Sequence, residues 1–162
     1  MTYEFFGCDV STEKIAIVGI DKDGDFVARE VSSNTRGPRG GKRKDILSLV
    51  DEFCREIEAL SSRDSIIGIE GLPWVKNRQG IVSFGMVLGA MRYGLHLIGR
   101  QSMLVEGSKW KKGIGLAGNA NKDAISAWVR VNCPDIKALE EIASQDIMDA
   151  YAIARHVKGS NK

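Results

Sequence analysis

The stretch 144–157, SQDIMDAYAIARHV, constrains the fold more than any other. Its alanines favour helix, and Ser144 is a suitable N-cap. On a helix Asp146 and Asp149 are i and i+3, so both carboxylates leave one face. Ile147, Met148, Ala150 and Ile153 surround them. Two acids on so apolar a helix repel each other unless something positive sits between them. Two readings follow. Acids at a helix start are favoured by the macrodipole and need no partner. Alternatively, they are half of a metal site, and partner carboxylates stand elsewhere in the chain.

The preceding chain supplies such partners. Residues 3–9 (YEFFGCD) read as a strand ending in Gly-x-Asp at Asp9. Residues 14–20 (KIAIVGI) and 26–31 (FVAREV) read as two more strands. The turn 21–25 (DKDGD), with Asp23-Gly24 at its centre, makes the group an antiparallel meander. That turn is not a calcium loop, because its glycine is misplaced and no Glu closes it. Residues 45–61 carry Ile46, Leu49, Val50, Phe53, Ile57 and Leu60 at helical spacing. Residues 64–70 (DSIIGIE) then form a buried strand closing on Glu70. A carboxylate there is costly unless it meets solvent or a cation.

Further along, 81–93 reads as a small-residue helix with Gly85, Gly89 and Ala90. Residues 95–99 and 102–105 supply one or two strands, 108–112 a short helix, and 121–131 a helix capped by Asn121. Residues 139–142 read as one more turn. A meander followed by strand, helix and strand predicts an α/β fold with parallel members in a mixed sheet. Open α/β sheets bind ligands at the carboxyl ends of strands, where Asp9 and Glu70 lie. The segment 113–118 (GIGLAG) matches G-x-G-x-x-G, but no strand precedes it, so it reads as a flexible basic loop. A length of 162 residues predicts a single domain over 1–162.

Charge is segregated although the net value is only +2. From Gly71 to Cys133, Lys76, Arg78, Arg92, Arg100, Lys109, Lys111, Lys112, Lys122 and Arg130 face only Glu106 and Asp123. Separate basic and acidic regions can hold a polyanion and a metal together. The loop 32–44 carries Arg36, Arg39, Lys42 and Arg43, and is either a solvated linker or a phosphate-contacting arm. Trp74, beside Lys76 and Arg78, either contacts a base or packs under its loop. Cys8, Cys54 and Cys133 lack zinc spacing and read as free thiols. With no leader-like N-terminus and no apolar run long enough to span a membrane, a cytoplasmic protein is expected, in a bacterial cell or phage-infected host.

The order of the acids, Asp9, Glu70, Asp146, Asp149, resembles the ribonuclease H-like nuclease superfamily. The C-terminal pattern Asp-x-x-Asp-Ala-x-Ala-Ile-Ala is similar to the RuvC-type Holliday junction resolvases of bacteria or phage. Glu70 with the Lys76-Asn77 loop matches the family's second motif, and 111–125 with Lys122 its basic motif. The family's aromatic three residues beyond its Glu falls at Pro73 here, so the junction wedge has moved to Trp74 or is missing. The resemblance implies a ribonuclease H-like mixed sheet flanked by helices. It also implies a homodimer that nicks four-way junctions symmetrically. Asp9, Glu70, Asp146 and Asp149 would then be catalytic ligands of two Mg²⁺ per site, with Mn²⁺ substituting. Lys122 would be catalytic at the scissile phosphate. Trp74, Lys76, Arg78, Lys109, Lys111, Lys112, Arg36, Arg39, Lys42 and Arg43 would join it on DNA.

Three other readings compete. Actin-like ATPases share the Gly-x-Asp strand but need two such domains and an adenosine motif. A related nuclease acting on forks or flaps keeps the same acids. A non-catalytic junction-binding module would not need all of them.

Overall fold

The computed structural model describes residues 2–32, 35–36, 42–43, 45–72, 78–137, 139 and 144–161, with the backbone alone at 35, 36, 42, 43 and 78. The expected meander consists of β1 (Tyr3–Val10), β2 (Lys14–Ile20) and β3 (Phe26–Ser32). Asp21 holds its second turn, accepting from the N–H of Gly24 at 2.8 Å and of Asp25 at 2.9 Å. Ser11 holds its first, accepting from the Lys14 N–H at 3.0 Å and donating to the Lys14 carbonyl at 2.9 Å.

Within the loop read as a linker or arm, β4 (Thr35–Arg36) and β5 (Lys42–Arg43) pair as a small antiparallel hairpin. Next, α1 (Ile46–Leu60) starts at Asp45, whose side chain accepts from the Ser48 N–H, and buries Leu49, Val50, Phe53 and Ile57. β6 (Ser61–Glu70) and β7 (Gln101–Val105) then add in parallel, giving the sheet order β3-β2-β1-β6-β7. This is the expected mixed α/β sheet.

Between those strands runs α2 (Arg78–Leu97), longer than the expected helix. Residues 95–99 are therefore not a strand. Val87, Leu88, Met91 and Leu95 are buried at helical spacing, so the apolar run at 95–98 is the last turn of α2. Gly99 ends it with φ +69. Its N–H bonds the His96 carbonyl and that of Arg100 bonds Leu95, a Schellman closure.

Then come α3 (Gly107–Gly113), α4 (Lys122–Asn132, capped by Asn121) and α5 (Gln145–Ser160). The sheet divides two cores. Phe6, Ile17, Ile67 and Ile69 pack against α1 and α2. Ala16, Val18, Val105 and Trp110 pack against α4 and α5. The cysteines are free thiols, and burial pushes the thiols of Cys8 and Cys54 up. Among the described residues no helix is long and apolar enough to cross a membrane.

Candidate metal centre

Strand alternation sends Gly7 and Asp9 of β1 to the α5 face of the sheet. In β6 it does the same for Gly68 and Glu70, and Gly7 pairs with Gly68. A Cβ on Gly7 would lie 2.1 Å from the Ala150 carbonyl oxygen and 2.3 Å from the Ala154 nitrogen. Only glycine there, facing alanines on α5, lets helix and strand backbones meet this closely. The first turns of α5 are thereby pinned beside the carboxyl ends of β1 and β6. That contact brings Asp146 and Asp149 to Asp9 and Glu70.

The charge coupling follows from this arrangement. Burial first, then the Glu70, Asp149 and Asp146 carboxylates, push Asp9 up to about 8, and a hydrogen bond with Glu70 adds to the shift. Asp149, 8 % exposed, is also raised, chiefly by burial. Its hydrogen bond from Gln145 and the nearby Lys122 partly oppose that rise.

Several partners hold the acids. The buried Trp110 of α3 donates its indole N–H to Glu70 Oε1 at 3.1 Å. Gln145 donates to Asp149 Oδ1 at 3.1 Å and accepts from the Ser126 hydroxyl at 2.9 Å. Lys14 at the start of β2 stands 2.7 Å from Asp146 Oδ2, and Lys122 stands 3.7 Å from Asp146 Oδ1. Ser144 occupies the N-cap position of α5 without a side-chain cap bond. Its hydroxyl donates instead to Glu30 Oε2 on β3 at 2.7 Å.

Oxygen-only donors suit Mg²⁺ or Mn²⁺. The crowding that raises Asp9 is relieved by a divalent cation among these acids. The donor set therefore fits such an ion. Among the described residues, no group of three or more His, Cys, Asp or Glu side chains is placed to hold a metal ion as it stands. The acids converge, but Lys14 and Lys122 flank Asp146.

Neither a protein-family model nor a curated protein matches the sequence. Solved structures do match. Thermus thermophilus RuvC superposes with a TM-score of 0.63 at 17 % identity, covering 95 % of this chain and 92 % of that one. T. thermophilus RuvC in complex with a Holliday junction substrate gives 0.66 at 15 % identity, covering 95 % and 91 %.

The chain has a RuvC-type fold.

On that RuvC-type scaffold, the expected catalytic residues Asp9, Glu70, Asp146, Asp149 and Lys122 come together. Lys109, Lys111 and Lys112 lie on α3, the helix that presents Trp110 to Glu70. Lys111 stands 5.4 Å from the centre of the Trp110 ring, and Lys109 pairs with Glu106 at 3.2 Å. Trp74, Lys76 and Arg39 lie outside the described residues. At Arg36, Lys42, Arg43 and Arg78 only the backbone is described, so their expected DNA contacts are outside it too. Sequence reasoning missed Lys14, Gln145, Trp110 and Glu30. Only Gln145 carried a local signal, being i, i+4 to Asp149.

Proposed function

We propose that this chain is a metal-dependent DNA endonuclease that resolves four-way junctions by paired symmetric nicks. It would act as a homodimer in the cytoplasm, with 1–162 as one nuclease domain. The observation that carries the reading is the convergence of Asp9, Glu70, Asp146 and Asp149 at one end of a RuvC-type sheet. A RuvC with this fold has been solved in complex with a Holliday junction substrate.

Asp9, Glu70, Asp146 and Asp149 would together hold the metal. Mg²⁺ or Mn²⁺ bound there would supply Lewis-acid stabilisation of the phosphodiester and its leaving oxygen. Trp110 and Gln145 fix the rotamers of Glu70 and Asp149, which keeps the oxygens aimed inward. Exposed Lys122 can reach a phosphate lying over the acids and stabilise its developing charge. The α3 lysines Lys109, Lys111 and Lys112 extend positive charge along the strand beyond it.

For the dimer, α2 exposes Val82, Met86, Tyr93 and Leu97 on one side. A Cβ at Gly85 or Gly89 would meet nothing within 4 Å. Such an apolar, low-relief helix face suits a second copy of itself. Sedimentation should give a dimer at micromolar concentration, and a strict monomer even on junction DNA would refute paired nicking.

A nuclease panel tests the whole reading: four-way junction, fork, flap and linear duplex, each with Mg²⁺, Mn²⁺, Ca²⁺ or chelator. Junction cleavage with Mg²⁺ and Mn²⁺ only is expected. Preference for forks or flaps would redirect the substrate, and tight junction binding without cleavage would make the chain a binding module.

A further inference from the structure

Asp9, Ala16 and Glu30 are paired across β1, β2 and β3, so they form one row on the α5 face. The small Ala16 leaves the middle of that row low. Lys14, two residues before Ala16 on the same face, reaches over it. Its ammonium lies 2.7 Å from Asp146 Oδ2 and 3.3 Å from Glu30 Oε2. The Ser11 turn fixes its backbone, and the Ser144 hydroxyl fixes Glu30 against the start of α5. Charged groups from every neighbouring element meet here: Asp9, Glu70, Asp146 and Asp149, Glu30, and the cations Lys14 and Lys122.

We propose that Lys14 is an internal counter-ion that holds Asp146 in the metal-free protein and yields it to the incoming divalent cation by shifting onto Glu30. The proposal rests on the metal centre proposed above. The four acids crowd one another, and Lys14 supplies a positive charge at Asp146. An ammonium 2.7 Å from a ligand oxygen also opposes a second cation on the same oxygen. Glu30 lies about 10 Å from Asp9 by strand spacing. Its carboxylate is held by the Ser144 hydroxyl and already touches the Lys14 ammonium, on the side away from Asp9 along the row. Lys14 is thus a positioning residue: it keeps Asp146 from being driven outward, at the cost of weaker metal binding.

Mn²⁺ binding, followed by the spin resonance of free Mn²⁺, tests this without reference to cleavage. Lys14→Met keeps the stem and removes the charge, and should tighten Mn²⁺ binding roughly fivefold or more. Glu30→Gln removes the resting place of the ammonium and should weaken binding. In the Lys14→Met background, Glu30→Gln should have little further effect, because the shift it supports no longer occurs. Lys14→Gln substitutes for Lys14→Met if the latter does not fold. Unchanged or weaker Mn²⁺ binding in the Lys14 variant, or an equal effect of Glu30→Gln in both backgrounds, overturns the counter-ion role while wild-type binding leaves the metal centre intact. Absence of Mn²⁺ binding by the wild-type protein overturns both.

Discussion

The two faces of the sheet are built on different principles. Against α1 and α2 the strands present Phe6, Ile17, Ile67 and Ile69, large side chains that fill volume. Against α5, β1 presents Gly7 and β6 presents Gly68, and the helix answers with Ala150 and Ala154 at the first and Val157 at the second. Volume-filling cores tolerate exchange among apolar residues of similar size. A backbone-to-backbone contact tolerates almost none, and it fixes distance. The proposed metal site draws its acids from three separate elements, and it lies on the face whose backbone contact fixes the distances between them.

The largest expected effect concerns the charge that only the α5 face carries. Folding raises the Asp9 carboxyl from its ordinary range to about 8. The folded protein therefore binds more protons there than the unfolded chain. The Asp9 contribution is favourable at acid pH and is lost as pH rises from about 4 toward 8. In chelator, wild-type stability should fall relative to Asp9→Asn over that interval by on the order of a few kcal/mol. Saturating Mg²⁺ should remove most of the difference. Parallel curves for the two proteins in chelator would mean that Asp9 is not crowded by the other acids.

The next test adds or removes one methyl group on each face. Gly7→Ala forces α5 off β1 and should cost about 3 kcal/mol in chemical unfolding, with loss of cleavage. Ile67→Val on the other face should cost about 1 kcal/mol and leave cleavage unchanged. Equal costs would erase the contrast between the faces.

A smaller effect separates the basic groups. Lys122→Ala should lower single-turnover cleavage at saturating enzyme about tenfold, about 1.4 kcal/mol in barrier, with a lesser effect on binding. The triple change Arg39→Ala, Lys42→Ala, Arg43→Ala should weaken junction binding, flatten its salt dependence and spare the saturated rate. Reversed phenotypes would move the reacting phosphate to the β4–β5 loop. The smallest effect belongs to the acid orienters. Trp110→Phe keeps the ring in the core but removes the N–H on Glu70, and should cost about 1 kcal/mol of stability. Its Mn²⁺ affinity should fall, whereas unchanged affinity would make Trp110 a packing residue only.

Much of this was legible in the sequence for a physical reason. Strand alternation, helical spacing and caps are local, so the meander, α1, α4 and α5 could be read directly. The four acids stood out as a candidate set because each lies in or at the end of a largely apolar stretch, and the structure brings them near one another. The segment 95–99 misled because a β-like apolar run and a helix end look alike until the Schellman closure at Gly99 is seen. Lys14, Trp110 and Glu30 were invisible as site residues. Lys14 looks like an ordinary strand start, and its partners lie 16 and 132 positions away in sequence. Trp110 sits in a lysine-rich helix and meets Glu70 only once α3 packs against the strand ends. In the loop motif 113–118, Gly113 closes α3 with its Cα packed against the His156 ring.

The measurement that tests the central claim most directly is single-turnover nicking of a four-way junction by wild type and Asp146→Asn in Mg²⁺, with binding measured in parallel. The expected result is paired symmetric nicks by wild type, none by Asp146→Asn, and junction binding by the variant that is equal or tighter, because a carboxylate near phosphates has been removed. Substantial Mg²⁺-dependent nicking by Asp146→Asn would contradict the four-carboxylate centre.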